Sequence, residues 1–180
     1  MKGRTARATG GKMNMENKPN DPTGKFDSDA GPKEVYAGEG SKVVKAAREL
    51  LVQPKSYGEA CVDLIQRLYQ DRQFSEDDIW RQIRLAAEYG ASSAARRIAY
   101  LINVSERQVM PAIDRPSLIV ERGAAGSQAT RELFIIALGR LAKDNVDKAE
   151  RALHKSLFRL NHEEQAQAWA QIALPASIAL

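Results

Sequence analysis

The chain has 180 residues and a mass of 19.9 kDa, room for one domain of ordinary size with or without a tail. Hydrophobic residues make up 43% and aromatics only 6%, so its core must be aliphatic, and 27 Ala against 20 Val plus Ile favour packed helices over sheet. No run of 18 apolar residues occurs, so no segment reads as a membrane span, and a lone Cys61 excludes an internal disulfide framework.

The formal net charge of +4 is unevenly spread. Residues 1–55 hold 11 Lys/Arg and 7 Asp/Glu, whereas residues 56–180 hold 16 of each. The excess sits at the front, and the neutral remainder gives no expectation of a basic binding face. Residues 1–40 carry 7 of the 12 glycines and 3 of the 7 prolines, with no apolar periodicity. Such a segment buries too little surface to offset chain entropy, so a disordered leader is expected. Lys2, Arg4 and Arg7 are followed by a polar, Gly-rich stretch, so no signal peptide is visible. The five cations of residues 1–20 lack interleaved aromatics, and no nucleic-acid partner is expected.

Helical periodicity begins at Ser41. Val43, Val44, Ala47, Leu50 and Leu51 share a face, and Pro54 stops the run. Ala60, Cys61, Leu64, Ile65 and Leu68 make the next stripe. Ser75-Glu-Asp-Asp78 starts a helix with an N-cap and acids facing the positive helix end, and Gly90 ends it. A helix over residues 92–103 comes next, and Ser105-Glu-Arg-Gln108 is a capping box for another. Pro111, Pro116 and Gly123-Ala-Ala-Gly126 predict one long connection over residues 111–126. The strongest helix spans 127–143. Asn145 caps the next and Asn161-His-Glu-Glu164 the last. About eight short antiparallel helices with small Ala contacts predict an all-α superhelix, or solenoid, over residues 41–180. No fixed repeat period survives alignment.

Several of these pieces together resemble a known family. Glu59-Ala-Cys-Val-Asp63 opens a helix. Phe74-Ser-Glu-Asp-Asp-Ile-Trp-Arg-Gln-Ile-Arg-Leu-Ala86, Glu88-Tyr-Gly-Ala91 and Ala94-Ala-Arg-Arg-Ile-Ala-Tyr-Leu-Ile102 come after it. Then stand Ala137-Leu-Gly-Arg-Leu-Ala-Lys-Asp144, Lys148-Ala149 and Ala168-Trp-Ala-Gln-Ile-Ala173. In order and spacing, over residues 42–174, they resemble the helical superhelix (U) domain of soluble lytic murein transglycosylases. The resemblance implies a periplasmic protein working on peptidoglycan glycan strands. In that family a lysozyme-like domain cleaves between N-acetylmuramic acid and N-acetylglucosamine without water, leaving a 1,6-anhydromuramoyl end. A catalytic Glu followed directly by Ser does the chemistry. Here no Glu is followed by Ser. No catalytic residue is carried over, and the chain is expected to be a non-catalytic fragment or truncation that works with a catalytic domain of the same protein.

Other residues carry candidate chemistry. Glu163 and Glu164 beside His162, like Asp77 and Asp78, are explained by helix starts, so no carboxyl with a raised pKa in a cleft is expected. His154 and His162 lack the spacing and third ligand of a metal site, Cys61 sits on an apolar stripe, and no cofactor is expected. Trp80 and Trp169 are candidates for stacking on a sugar, although at helical spacing with Ile83 and Ala173 both also fit a core. Arg81, Arg84, Arg96 and Arg97 surround one helix pair and are candidates for stem-peptide carboxylates; a solvated face paired with Glu88 and Asp78 is the other reading. The alternative function is a stand-alone α-solenoid adaptor that binds a protein partner.

Overall fold

In the computed structural model the described residues are 32–52 and 57–178, with side chains described from Ser41 apart from Val43 and residues 176–178. The disorder expected of the leader lies, for residues 1–31, outside the described residues. Residues 1–40 and 41–180 are separate units, and every described side chain belongs to the second. Among the described residues every element is helical. The order is α1 (Pro32–Val52), α2 (Glu59–Gln70), α3 (Glu76–Glu88), α4 (Ser92–Tyr100), α5 (Glu106–Asp114), α6 (Pro116–Arg122), α7 (Gln128–Ala142), α8 (Val146–Ser156), a 3-10 turn (Leu157–Arg159) and α9 (His162–Ile178). This is an all-α solenoid.

The caps form where short polar side chains allow them. Ser75 accepts from the Asp78 amide at 3.2 Å, and Asp78 accepts from the Ser75 amide at 2.8 Å. Gln108 accepts from the Ser105 amide at 3.0 Å. Asn145 accepts from the Lys148 amide at 2.8 Å. Asn161 and Glu164 exchange amide bonds of 2.8 and 2.9 Å. Each of these bonds satisfies an N–H with no partner inside the helix, or the amide of the capping residue itself. Gly90, at φ 72°, ends α3 in the left-handed conformation that a side chain would strain.

Two boundaries differ from the sequence-based expectation. The first helix begins at Pro32, nine residues before the apolar pattern starts. The stretch expected as one long connection instead holds the end of α5 and all of α6. Pro111 forfeits one backbone donor inside α5. Burial of Val109, Ala112 and Ile113 outweighs that loss, and the Pro111 carbonyl accepts from the Arg115 amide at 3.0 Å. Arg115 is forced out of helical geometry (φ −134°, ψ 57°), and Pro116 then takes the first position of α6, where no N–H is needed.

The core centres on α7, which packs against α3, α5, α6, α8 and α9. From Glu132 to Ala142 all but Arg140 are buried, so the helix is enclosed on every side. At Gly139 α9 comes close: a Cβ there would meet Gln171 Oε1 and stand 3.2 Å from the Gln171 Cβ. Replacing Gly139 by Leu should destabilise the protein by about 1–3 kcal/mol through overpacking. In Gly139→Ala the helix-propensity gain of about 1 kcal/mol opposes the clash. Urea unfolding of both variants checks this: the Ala variant should lie near wild type and the Leu variant well below it.

Candidate functional site

The four candidate arginines do not share one face. Arg96 and Arg97 line an open groove of about 800 Å³ between α2 and α4. Arg81 and Arg84 line a different cleft, of about 660 Å³, between α3, α7 and α9. The reason lies in helix phase. In α3 the apolar positions Ile79, Trp80, Ile83, Ala86 and Ala87 are buried, which turns Arg84 inward with them towards α7. In α4, burial of Ala94, Ala95, Ile98 and Ala99 turns Arg96, Arg97 and Tyr100 out.

In the groove, α2 buries Val62, Ile65 and Leu68 and leaves Gln66, Tyr69 and Gln70 facing α4. Arg96 donates to Glu106 at 2.7 Å, and Arg97 donates to Asp63 at 3.1 Å with Glu59 3.8 Å away. These surface pairs add little stability but hold two guanidinium forks in place with further N–H donors free. Tyr100 is 78% exposed beside them, and the half-buried Tyr69 packs on the core behind. An aromatic face, two amides and two guanidinium groups along one trough suit a hydroxyl-rich ligand with an apolar face. The two tyrosines and Gln66 and Gln70 were not among the candidates drawn from the sequence. Their signal was present, because Tyr100 stands three and four residues after Arg97 and Arg96 and so shares their side of α4.

The second cleft gathers the starts of three helices. Asp77 and Asp78 come from α3, Gln128, Arg131 and Glu132 from α7, and Asn161, Glu163 and Glu164 from α9. The polar groups are largely matched to one another. Arg131 Nε donates to both Glu164 oxygens at 2.8 and 3.0 Å, and its Nη1 donates to the Gly126 carbonyl at 2.7 Å. Gln128 donates to Asp77 at 2.8 Å. Arg48 reaches Asp78 from α1, donating at 3.0 Å. Burial pushes the Asp78 carboxyl up, but bonds from Arg48 and Ser75 outweigh it and hold the group below the usual carboxylate range.

Glu132 corrects the expectation that no carboxyl here is raised. It is 4% exposed and paired with Arg84, itself 8% exposed. Burial drives its carboxyl above the ordinary range. Arg84 opposes this, and Glu164 and Asp77 push the same way as burial. Arg84 is thus neither solvated nor free for a ligand. Trp80 is fully buried, with its indole nitrogen lacking a partner, so it cannot plate a sugar. Trp169 stays 36% exposed on α9, edge-on to His154 with ring centroids 5.3 Å apart, away from both clefts' arginines. Arg81 is exposed on the rim of the second cleft. Among the described residues no group of three or more His, Cys, Asp or Glu is arranged to hold a metal ion, and no helix is long and apolar enough to cross a membrane.

No family model and no curated protein matches the chain. A solved structure does. An inactive mutant of the lytic transglycosylase Slt from Pseudomonas aeruginosa is similar in fold, with a TM-score of 0.59 and 21% identity. The match covers 80% of this chain and 25% of that one, so the chain spans about a quarter of the length of its solved neighbour. At this identity the likeness is one of fold.

The buried pair gives a test with a sign. Arg84→Met leaves the Glu132 carboxylate buried and unpaired, and should cost about 3–5 kcal/mol at pH 7. With the cation gone, the carboxyl rises further above its unfolded value. The native state then binds a proton more readily than the unfolded chain, so stability is lost as pH rises through the folded value and regained as pH falls below it. Urea unfolding at pH 7 and pH 5 should show the deficit shrinking at pH 5. The double variant Arg84→Met/Glu132→Leu should return close to wild type at both; a deficit indifferent to pH and to the second substitution contradicts the assignment.

Proposed function

We propose that this chain is a non-catalytic helical module that holds peptidoglycan glycan strands in the α2–α4 groove for a lytic transglycosylase. The groove carries the reading. Tyr100 and Tyr69 offer aromatic faces, Gln66 and Gln70 offer amides for sugar hydroxyls and acetamido groups, and Arg96 and Arg97 lie within reach of stem-peptide carboxylates. The fold likeness to a lytic transglycosylase and the ordered helix signatures of residues 59–173 support the same substrate class. The module would work in the periplasm, where peptidoglycan lies, beside a lysozyme-like catalytic domain of the same protein.

The carboxyl groups of this chain suit scaffolding better than cleavage. Glycosidic cleavage needs an acid that can reach the leaving oxygen. Glu132 has the raised carboxyl but is sealed in and held by Arg84. Glu164 caps α9 and accepts two bonds from Arg131. Both are engaged in holding helices together.

Sedimentation with purified peptidoglycan tests the reading. The chain should co-sediment at low salt, and Tyr100→Ala should weaken this about five-fold, the scale of one aromatic contact. Arg96→Ala/Arg97→Ala should weaken it further and flatten its salt dependence. No anhydromuropeptides should appear on prolonged incubation. Product that vanishes in Glu132→Gln or Glu164→Gln would make the chain an enzyme. Absence of sedimentation at low salt would put the protein–protein adaptor ahead.

A further inference from the structure

A second charged surface lies well along the sequence from the groove. The cleft between α6 and α8, of about 370 Å³, is lined by Arg122, Lys148, Arg151, Lys155 and Arg159. Glu121 is its one acidic side chain, 3.9 Å from Lys148 and well exposed. Three of the cations stand at i, i+3 and i+7 on α8, and Arg159 continues the row in the 3-10 turn. At 1.5 Å per residue the row runs about 16 Å, with a charge roughly every 5–6 Å. Zero net charge over residues 56–180 concealed this: the sum cancels and the placement does not.

Five other arginines on this unit have a carboxylate partner: Arg48 with Asp78, Arg84 with Glu132, Arg96 with Glu106, Arg97 with Asp63, Arg131 with Glu164. Arg122, Arg151 and Lys155 have none among the described residues. Glu121 is the only acidic side chain among the cleft's lining residues. The cleft is also braced. The Ala124 amide donates to the buried Ser156 hydroxyl at 3.2 Å, and Arg159 Nη1 donates to the Ala124 carbonyl at 3.3 Å. Gly123, at φ 75°, permits this close approach; a Cβ there would stand 3.1 Å from Ser156 Oγ. One edge of the Arg159 guanidinium is therefore fixed to the loop at the cleft.

We propose that this cleft binds the backbone of a linear phosphodiester polymer. Charge complementarity sets the sign of the partner. The lining sets its type: it is rich in donors, and its side-chain acceptors are Glu121 and a Ser156 hydroxyl already engaged by Ala124. An acidic peptide would bring backbone N–H groups for which the lining offers few protein acceptors. A phosphodiester chain brings acceptors alone, at intervals that a row of cations on one helix face can follow, and Arg forks grip phosphate oxygens two at a time. The site is separate from the α2–α4 groove and does not depend on the function proposed for it.

The test uses the full chain and a fluorescein-labelled thymidine dodecamer as a plain phosphodiester strand, read by anisotropy. Binding should weaken steeply with salt, with a log–log slope of about −2 to −3 for three to four phosphates neutralised. The triple variant Arg122→Ala/Arg151→Ala/Lys155→Ala, whose side chains are exposed and unpaired, should keep its helical circular dichroism and bind at least ten-fold or so more weakly at about 50 mM salt. Arg96→Ala/Arg97→Ala should bind as wild type. Equal binding by wild type and the triple variant would place the affinity in the basic residues of the first twenty and overturn the proposal. So would absence of binding at low salt. Displacement of the strand by polyglutamate at equal charge concentration would also overturn it, in favour of an acidic protein partner.

Discussion

The enclosure of α7 is the constraint on which the other helices depend. From Glu132 to Ala142 α7 leaves only Arg140 partly exposed, so the charge of Glu132, one turn from the helix start, lies on a buried face. A buried carboxylate without a partner costs several kcal/mol, so α3 must present Arg84 at that level. Burial of Ile79, Trp80, Ile83, Ala86 and Ala87 sets the rotation of α3 that meets this requirement. Once Arg84 points inward, Trp80 and Ile83 share its buried side, and Asp77 and Asp78 arrive at the shared cleft. The same cleft then draws in the start of α9, whose cap residue Glu164 is held by Arg131 of α7. Helix starts converge there because each supplies N–H groups and acids that neutralise one another, which is a means of joining three helix ends and leaves little free for a ligand.

Pairing separates structural from available charge throughout the molecule. The side chains of Arg84 and Arg131 are 9% and 24% exposed and serve the core. Arg96 and Arg97 sit in pairs whose carboxylates are mostly in water, 64% exposed at Glu106 and 67% at Asp63. Such pairs exchange readily for a ligand carboxylate, because little Coulomb energy is at stake in high dielectric. Of the cations around Gly123, Arg122, Arg151 and Lys155 have no carboxylate partner among the described residues. Function is thus read from what the charges fail to satisfy inside the chain.

Local chemistry made much of the fold legible. Ser75, Ser105, Asn145 and Asn161 cap where their side chains suggest, since capping depends on residues within one turn. Pro111 misled because the proline rule is also local, and three buried neighbours on the same helix outweighed one lost hydrogen bond. The site was harder. Arg81, Arg84, Arg96 and Arg97 are close in sequence, but the helical turn of about 100° per residue sends them to separate clefts, and which side faces the core is decided by α7, far along the chain. Trp80 was ambiguous for the same reason. Glu132 had a readable sign, an acid opening the run Leu133-Phe134-Ile135-Ile136: an acid set against a run apolar on all sides is drawn into the interior with it.

The alanine-rich composition joins these points. Small side chains at the helix contacts, with Ala86, Ala95, Ala99, Ala112, Ala137 and Ala149 fully buried, let the helices approach closely and leave little interior volume to fill. Gln66, Tyr69, Gln70 and Tyr100 stand in the trough between α2 and α4. A solenoid built this way carries its recognition chemistry on helix faces, where rotation is fixed by the core. That is why the groove residues of α2 and α4 recur at three and four positions apart, and why the cation row of α8 does the same. Rigid faces of this kind suit long ligands with repeating groups, because each turn of helix meets the next unit of the ligand without any loop having to order first.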